Sequence, residues 1–291
     1  MSTWRASRAV FAYMSAAMSR PFLKMNGLGN DFVVVEARSA PFAPSAADVR
    51  AIADRASGIG CDQLIAIEPA DDADARVRFW NADGEEVAAC GNGTRCVGWL
   101  LMQASGADQA VIETKAGRLL ATRAGERLVS VDMGKPGLDW RDIPLAREQD
   151  TRALDVALYD DPALATAPGC VSMGNPHVVF FTPDIEAAPI RTAGPMVEHH
   201  PLFPEGVNVG FAQVVGRDRI RLRVWERGAG LTQACGTGAC AALVAAARRD
   251  LTDRTAVLML DGGELLVEWR ASDDHVIMTG PAAVDFAGEL P

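Results

Sequence analysis

RVRFWNADGEEVAACGNGTRC, residues Arg76–Cys96, returns further along the chain as RLRVWERGAGLTQACGTGAC, residues Arg221–Cys240. Laid side by side, Arg76 meets Arg221, Arg78 meets Arg223, Trp80 meets Trp225 and Cys90 meets Cys235, each pair 145 positions apart. The same offset carries Gly29-Asn30 (GNDFVVV) onto Gly174-Asn175 (GNPHVVF) and Gln63 (GIGCDQLI) onto Asn208 (PEGVNVGF). Several polar motifs at one spacing mark an internal repeat, and twice that spacing nearly exhausts the 291 residues. Two homologous halves are therefore expected, related by a pseudo-twofold axis, with one cysteine from each half brought to a cleft on that axis.

Within each half the order is glycine turn, strand, second turn, strand, cysteine loop, helix. Val33–Glu36 and Val178–Phe181 are β-branched and aromatic runs after a Gly-Asn turn, and Arg76–Trp80 and Arg219–Trp225 alternate polar and apolar residues. Further strands are expected at Ala110–Glu113, Leu128–Asp132, Ala256–Leu260 and Leu265–Trp269, and helices at Val97–Met102 and Ala241–Arg249. Many strands with few helices indicate an α+β architecture. Gly134–Gly137 is the natural interdomain junction. The expected division is a leader or overlong start over residues 1–20, an N-terminal domain over 21–135 to which 279–291 return, and a C-terminal domain over 136–278.

A net charge of −10 argues against a nucleic-acid or acidic-membrane partner, which would need a basic face. A small zwitterion, read by local groups, remains compatible. Six cysteines in a chain this long do not make a disulfide framework, no apolar run reaches membrane-spanning length, and the expected location is the cytoplasm.

Each cysteine loop reads Ala-Cys-Gly-x-Gly and leads into a helix. Glycines permit positive φ and close approach of backbone to a ligand, and N–H groups at a helix start bind anions. A substrate carboxylate would sit on Gly91-Asn92-Gly93 and Gly236-Thr237-Gly238. The positive helix end should also lower the pKa of each adjacent thiol. Two such thiols are the machinery of two-base stereoinversion, with one taking the α-proton and the other supplying a proton to the opposite face. No cofactor is expected. The chain has only Lys24, Lys115 and Lys135, none placed as a Schiff-base lysine within a glycine-rich motif, and no dinucleotide fingerprint follows a strand. A four-thiolate zinc or redox module is the alternative from another class. It is disfavoured because Cys90-x5-Cys96 exceeds the usual ligand spacing and the helical register turns Cys96 away. The remaining cysteines, Cys61, Cys96, Cys170 and Cys240, read as buried hydrophobes.

From Leu23 to Gly288 the chain resembles the diaminopimelate epimerase family. The motifs are KMNGLGNDF (Lys24–Phe32), GIGCDQL (Gly58–Leu64), FWNADG (Phe79–Gly84), ACGNGTRC (Ala89–Cys96), GNPH (Gly174–His177), EGVNVGF (Glu205–Phe211) and ERGAGLTQACGTGAC (Glu226–Cys240). The resemblance implies two domains, each a barrel-like mixed sheet around a central helix, a homodimer, and conversion of LL- to meso-diaminopimelate in lysine and peptidoglycan precursor synthesis. It implies Cys90 and Cys235 as the bases, His177 and Glu226 as modulators of their pKa, and Gly91, Asn92, Gly236 and Thr237 as the carboxylate cradle. It adds Asn30, Gln63, Asn81, Asn175, Asn208, Glu226 and Arg227 as further substrate contacts, and no metal. Asn26, Cys61 and Leu231 depart from the family pattern, and Phe286 stands where a tyrosine tied to dimer contacts is expected. A proline racemase-like imino-acid racemase would share the two-thiol chemistry and is the runner-up.

Overall fold

A computed structural model describes residues 20–164 and 167–290; the leader expected over residues 1–20 lies, but for Arg20, outside them. The chain forms two compact units, one running to Val131 and resuming at Thr279, the other spanning Asp132–Met278.

The first unit begins with β1 (Pro21–Gly27) and β2 (Asn30–Glu36), an antiparallel pair. After α1 (Ala46–Ala53) come β3 (Gln63–Glu68), β4 (Ala75–Asn81), the short β5 (Glu86–Val87) and α2 (Gly91–Ser105). β6 (Gln109–Thr114), β7 (Gly117–Arg123) and β8 (Leu128–Asp132) follow. β2 lies parallel to β3, β3 antiparallel to β4, and β4 parallel to β6.

The second unit repeats this plan with β9 (Gly169–Ser172), β10 (Pro176–Phe181), α3 (Ile190–Glu198), β11 (Asn208–Gly216), β12 (Arg219–Glu226) and β13 (Gly230–Thr232). Then come α4 (Gly236–Ala247), β14 (Thr255–Leu260), β15 (Gly263–Trp269) and β16 (Val276–Pro281), in which the chain passes back to the first unit. The repeat extends to register: Phe32 faces Gln63 as His177 faces Asn208, and Leu64 faces Trp80 as Val209 faces Trp225. The last strand, β17 (Ala283–Glu289), returns to the first unit and pairs with β1.

Each unit wraps its sheet around one helix. α2 lies against β1, β2, β6 and β7, and α4 against β9, β10, β11, β12, β14 and β15. A helix enclosed on all sides must be apolar on all sides, and Ala239 through Ala246 of α4 are all buried. The smaller helices cover the outer face. α1, held by a Ser45–Asp48 capping box, sets Val49 and Ile52 on Val33, Leu64 and Trp80. α3 sets Ile190, Ala193 and Val197 on a core that includes the stacked rings of Phe180 and Phe211.

Two local expectations need correction. Both central helices start directly after the cysteine, so Gly91–Gly93 and Gly236–Gly238 form the first helical turn and not a loop with positive φ. These glycines serve close approach instead. A Cβ on Gly93 would lie 2.8 Å from the Phe79 ring and one on Gly238 2.9 Å from Val224, so the helix start could not seat against its sheet. Arg248 and Arg249 do not finish α4; they donate to the carbonyls of Thr151, Cys170 and Ala167 in the neighbouring chain segments.

Candidate active site

Cys90 and Cys235 occupy the same structural position, the N-cap of a central helix. The Cys90 Sγ accepts from the N–H of Gly93 at 3.5 Å, and the Cys235 Sγ from that of Gly238 at 3.4 Å. Thr94 N and Ala239 N bond the cysteine carbonyls at 2.8 and 2.9 Å. The first N–H groups of a helix have no partner within it. Those of Gly91 and Asn92 at one helix start, and of Gly236 and Thr237 at the other, are of the kind that each bind an anion.

In the first unit the amide side chains collect at one end of the sheet because they stand at strand ends. Asn30 opens β2, Gln63 opens the parallel β3, and Asn81 closes the antiparallel β4 opposite Gln63. Gln63 Nε2 donates to Asn81 Oδ1 at 2.9 Å. Asn30 Oδ1 lies 3.9 Å from the Cys90 sulfur and accepts from Asn92 Nδ2 at 3.4 Å. The buried Asn92 Oδ1 and Gln63 Oε1 meet no donor among the described residues. Buried acceptors of that kind suit a ligand bearing an ammonium.

The second unit gathers its own set. Asn175 precedes β10 and donates to Thr237 Oγ1 at 3.4 Å; Thr237 Oγ1 is 3.6 Å from the Cys235 sulfur. His177 Nε2 meets Asn175 Oδ1 at 3.0 Å. Asn208 bridges the Pro176 carbonyl (2.9 Å) and the backbone N–H of Arg227 (3.0 Å). The Arg227 guanidinium donates to the Glu205 carbonyl at 2.8 Å. Thr232 Oγ1 donates to Glu226 Oε1.

The electrostatics overturn one expectation. Cys235 is 4% exposed, and burial, followed by the neighbouring Glu226 carboxylate, pushes its thiol well above the ordinary value. Thr237 and the Gly238 N–H act in the expected downward direction, but they are outweighed. Burial and Glu226 both favour the protonated form of Cys235. Cys61 and Cys96 are buried and pushed up by desolvation, to about 11 and about 12.

Burial, and after it the Arg227 guanidinium, press the His177 pKa down to about 3. The neutral ring, protonated on one nitrogen, is then the donor to Asn175 Oδ1 and does not act as a cation. Between pH 3 and the unfolded value of about 6.5 the unfolded chain binds the extra proton. The stability His177 contributes is full above about 6.5 and is lost as pH falls, by at most about 1.4 kcal/mol per pH unit. His177→Phe, which installs the residue found at the equivalent position Phe32, should flatten that slope. The check is the urea midpoint at pH 7 and pH 5 for both proteins; an equal drop would assign the acid sensitivity elsewhere.

Residues absent from the sequence-based site also bear on it. Asp62 accepts from Asn30 Nδ2 at 2.7 Å and is bonded by Arg55 at 2.7 Å. Buried Glu198 accepts from Trp225 Nε1 at 2.7 Å and Gly228 N at 2.8 Å, bracing the turn that carries Glu226 and Arg227. Asp62 sits beside Gln63 inside a motif and was within reach of the sequence. Glu198 lies outside every motif, and as an acid at the end of α3, where the helix dipole disfavours one, it carries no local sequence signal of its role.

The chain matches the family model described as Diaminopimelate epimerase over residues 22–138 and 169–284. It is 78% identical over 278 residues to a diaminopimelate epimerase of Phenylobacterium zucineum, covering 96% of this chain and 100% of that protein. It is 60% identical over 287 residues to one of Caulobacter vibrioides, covering 94% and 98%. Among solved structures it is similar to a phenazine biosynthesis protein of the PhzF family from Enterococcus faecalis, with TM-score 0.69, 17% identity and coverage of 94% and 100%. It is also similar to a hydroxyproline epimerase from Agrobacterium vitis, with TM-score 0.66, 16% identity and coverage of 94% and 93%. These two distant likenesses speak for the fold alone. With the family model matched in both halves and such identities over nearly the whole chain, the chain belongs to the diaminopimelate epimerase family.

Proposed function

We propose that the chain interconverts LL- and meso-diaminopimelate, in lysine and peptidoglycan precursor synthesis, with Cys90 and Cys235 as the two bases. The observation that supports this most directly is the doubled N-cap cysteine, each sulfur taking an N–H from the third residue of its helix. One thiolate removes the α-proton and becomes a thiol; the electron pair passes to the carboxylate-stabilised carbanion. The other thiol gives its proton to the opposite face and is left as a thiolate. Reversal exchanges the roles, so solvent exchange of the thiol protons restores the starting state. Helix-start N–H groups at Gly91, Asn92, Gly236 and Thr237 stabilise the charge developing on the carboxylate, and the reaction so written needs no cofactor.

The substrate is a double zwitterion. Asn30, Gln63, Asn81 and Glu226 offer oxygens to ammonium groups, Asn175 and Asn208 add polar contacts through their amides, and Arg227 offers a cation to the distal carboxylate. The two domains, 21–135 with 279–291 and 136–278, each supply one thiol. No helix among the described residues is long and apolar enough to cross a membrane. The enzyme works in the cytoplasm as a homodimer, and half-exposed Phe286, packed edge-on against Phe22, is a first place to probe the contact.

The deciding experiment is incubation of LL-diaminopimelate in heavy water with reduced enzyme. Deuterium at one α-carbon together with meso product is expected. No exchange, or inversion of free proline instead, would overturn the substrate assignment. Arg227→Ala should raise KM by about 10–100-fold, the worth of a lost charge-assisted bond, with a smaller change in kcat; an unchanged KM would remove Arg227 from the distal carboxylate.

A further inference from the structure

Asn30 and Asn175 are equivalent by the repeat, yet their side-chain amides face their helix starts with opposite ends. Asn30 turns its oxygen toward the Cys90 sulfur and Asn92 Nδ2. Asn175 turns its NH2 toward Thr237 Oγ1, next to Cys235. The difference lies one layer out. Behind Asn30 stands a carboxylate, Asp62, which can only accept and so claims the Asn30 NH2. Behind Asn175 stands neutral His177, whose Nε2 lies 3.0 Å from the Asn175 oxygen and takes the tautomer that donates to it.

Asp62 is itself held rigidly. Its Oδ2 also accepts from Asp31 N at 3.0 Å, its Oδ1 takes Arg55 Nη2, and Arg55 is bidentate to Asp31 at 2.8 and 3.0 Å. Lys24 closes the cluster at 2.6 Å from Asp31. Burial works to raise the Asp31 pKa, but its bonds to Arg55 and Lys24 outweigh burial and hold it well below the usual range. The equivalent positions in the other half, Pro176, Val207, His200 and Gly169, carry no carboxylate, lysine or arginine. The charged brace therefore belongs to one half only.

We propose that Asp62 is a positioning residue that turns the Asn30 amide so that its oxygen, a hydrogen-bond acceptor, faces Cys90, while the equivalent Asn175, with no carboxylate behind it, turns its NH2 to the Thr237 hydroxyl beside Cys235. The pseudo-symmetric scaffold thereby offers unlike surroundings to its two thiols, as suits a reaction in which one must hold a proton while the other lacks it. This rests on the assignment of both cysteines as bases, but its test reads chemical reactivity and not turnover, so the two can fail separately.

In a Cys235→Ser background, the rate of Cys90 alkylation by iodoacetamide at neutral pH is followed by mass spectrometry of the Cys90 peptide. Asp62→Ala frees the Asn30 amide to turn its NH2 to the sulfur. A donor favours the thiolate, so the rate should rise by about threefold or more. Asp62→Asn keeps an oxygen for Asn30 Nδ2 and Asp31 N and should leave the rate near that of the parent. An unchanged rate in Asp62→Ala, or an equal rise in both variants, would overturn the proposal. Should Asp62→Ala not fold, the native protein decides. Asn30 side-chain amide protons, identified by their loss in Asn30→Asp, should exchange with water at least about tenfold more slowly than those of an exposed asparagine; exchange at the exposed rate would overturn it.

Discussion

Serine in place of Cys235 is expected to lower epimerisation by at least about 10²–10⁴-fold, the usual worth of a general acid or base, while leaving the protein as stable as before or more so. The hydroxyl is far less acidic than a thiol, so it neither delivers a proton readily nor persists as the anion for the reverse direction. Folding should not suffer. Cys235 is the N-cap of α4, its side chain accepting from Gly238 N, and serine is among the preferred residues for that position. The native cysteine is the poorer cap, kept at a cost in helix stability. The same holds for Cys90 on α2. A melting temperature held or raised alongside lost activity separates chemistry from structure; wild-type turnover in either serine variant would remove that cysteine from the base pair. The variants also test which thiol serves which face. With Cys90 left alone, one diastereomer should still exchange its α-hydrogen without inverting, because a single base can return a solvent-derived proton only to the face it came from.

Much of this was legible in the sequence because the repeat is legible. The offset of 145 places Asn30 with Asn175, Gln63 with Asn208 and Cys90 with Cys235 before any coordinate is known, and the strand registers repeat with it. What escaped has physical causes. Gly91–Gly93 read as loop because glycine is a weak helix former; close seating against Phe79 and Ile65 overrode propensity there. The Cys235 thiol read as acidic from its helix start alone. The opposing causes are burial, and a carboxylate at Glu226 brought near by the β12–β13 turn, and neither is visible at the cysteine itself. Asp62 and Arg55 lie seven residues apart, and no local pattern reveals that Arg55 holds the carboxylate that orients the Asn30 side chain.

Glu198→Ala should cost about 3 kcal/mol of stability and weaken substrate binding together, although Glu198 touches no proposed substrate contact through its own side chain. It is the last residue of α3, 6% exposed, and its two oxygens accept one N–H each, from the Trp225 indole and from Gly228. Those donors flank Glu226 and Arg227. Removing the carboxylate leaves two buried donors without a partner, and bonds to a charged acceptor are worth about 1.5–3 kcal/mol each. Some of that loss will be recovered by water entering the space. Trp225 also forms the floor on which Gly194 of α3 lies, a Cβ there falling 2.6 Å from the indole, so a loosened indole disturbs the packing of α3 as well. The functional consequence runs through the turn. Glu226 is held by Thr232, and the Arg227 backbone by Asn208; with Glu198 gone, a turn whose Gly228 stands at φ 75° loses the carboxylate that ties down both its ends. Glu198→Gln keeps one oxygen for one donor but sets an NH2 against the other, and should fall between the parent and alanine in both properties. Urea midpoints give the stability order, and KM measured where each variant remains folded gives the binding order. A destabilised Glu198→Ala with native KM would make this carboxylate a fixture of the core alone, unconnected to the orientation of Glu226 and Arg227.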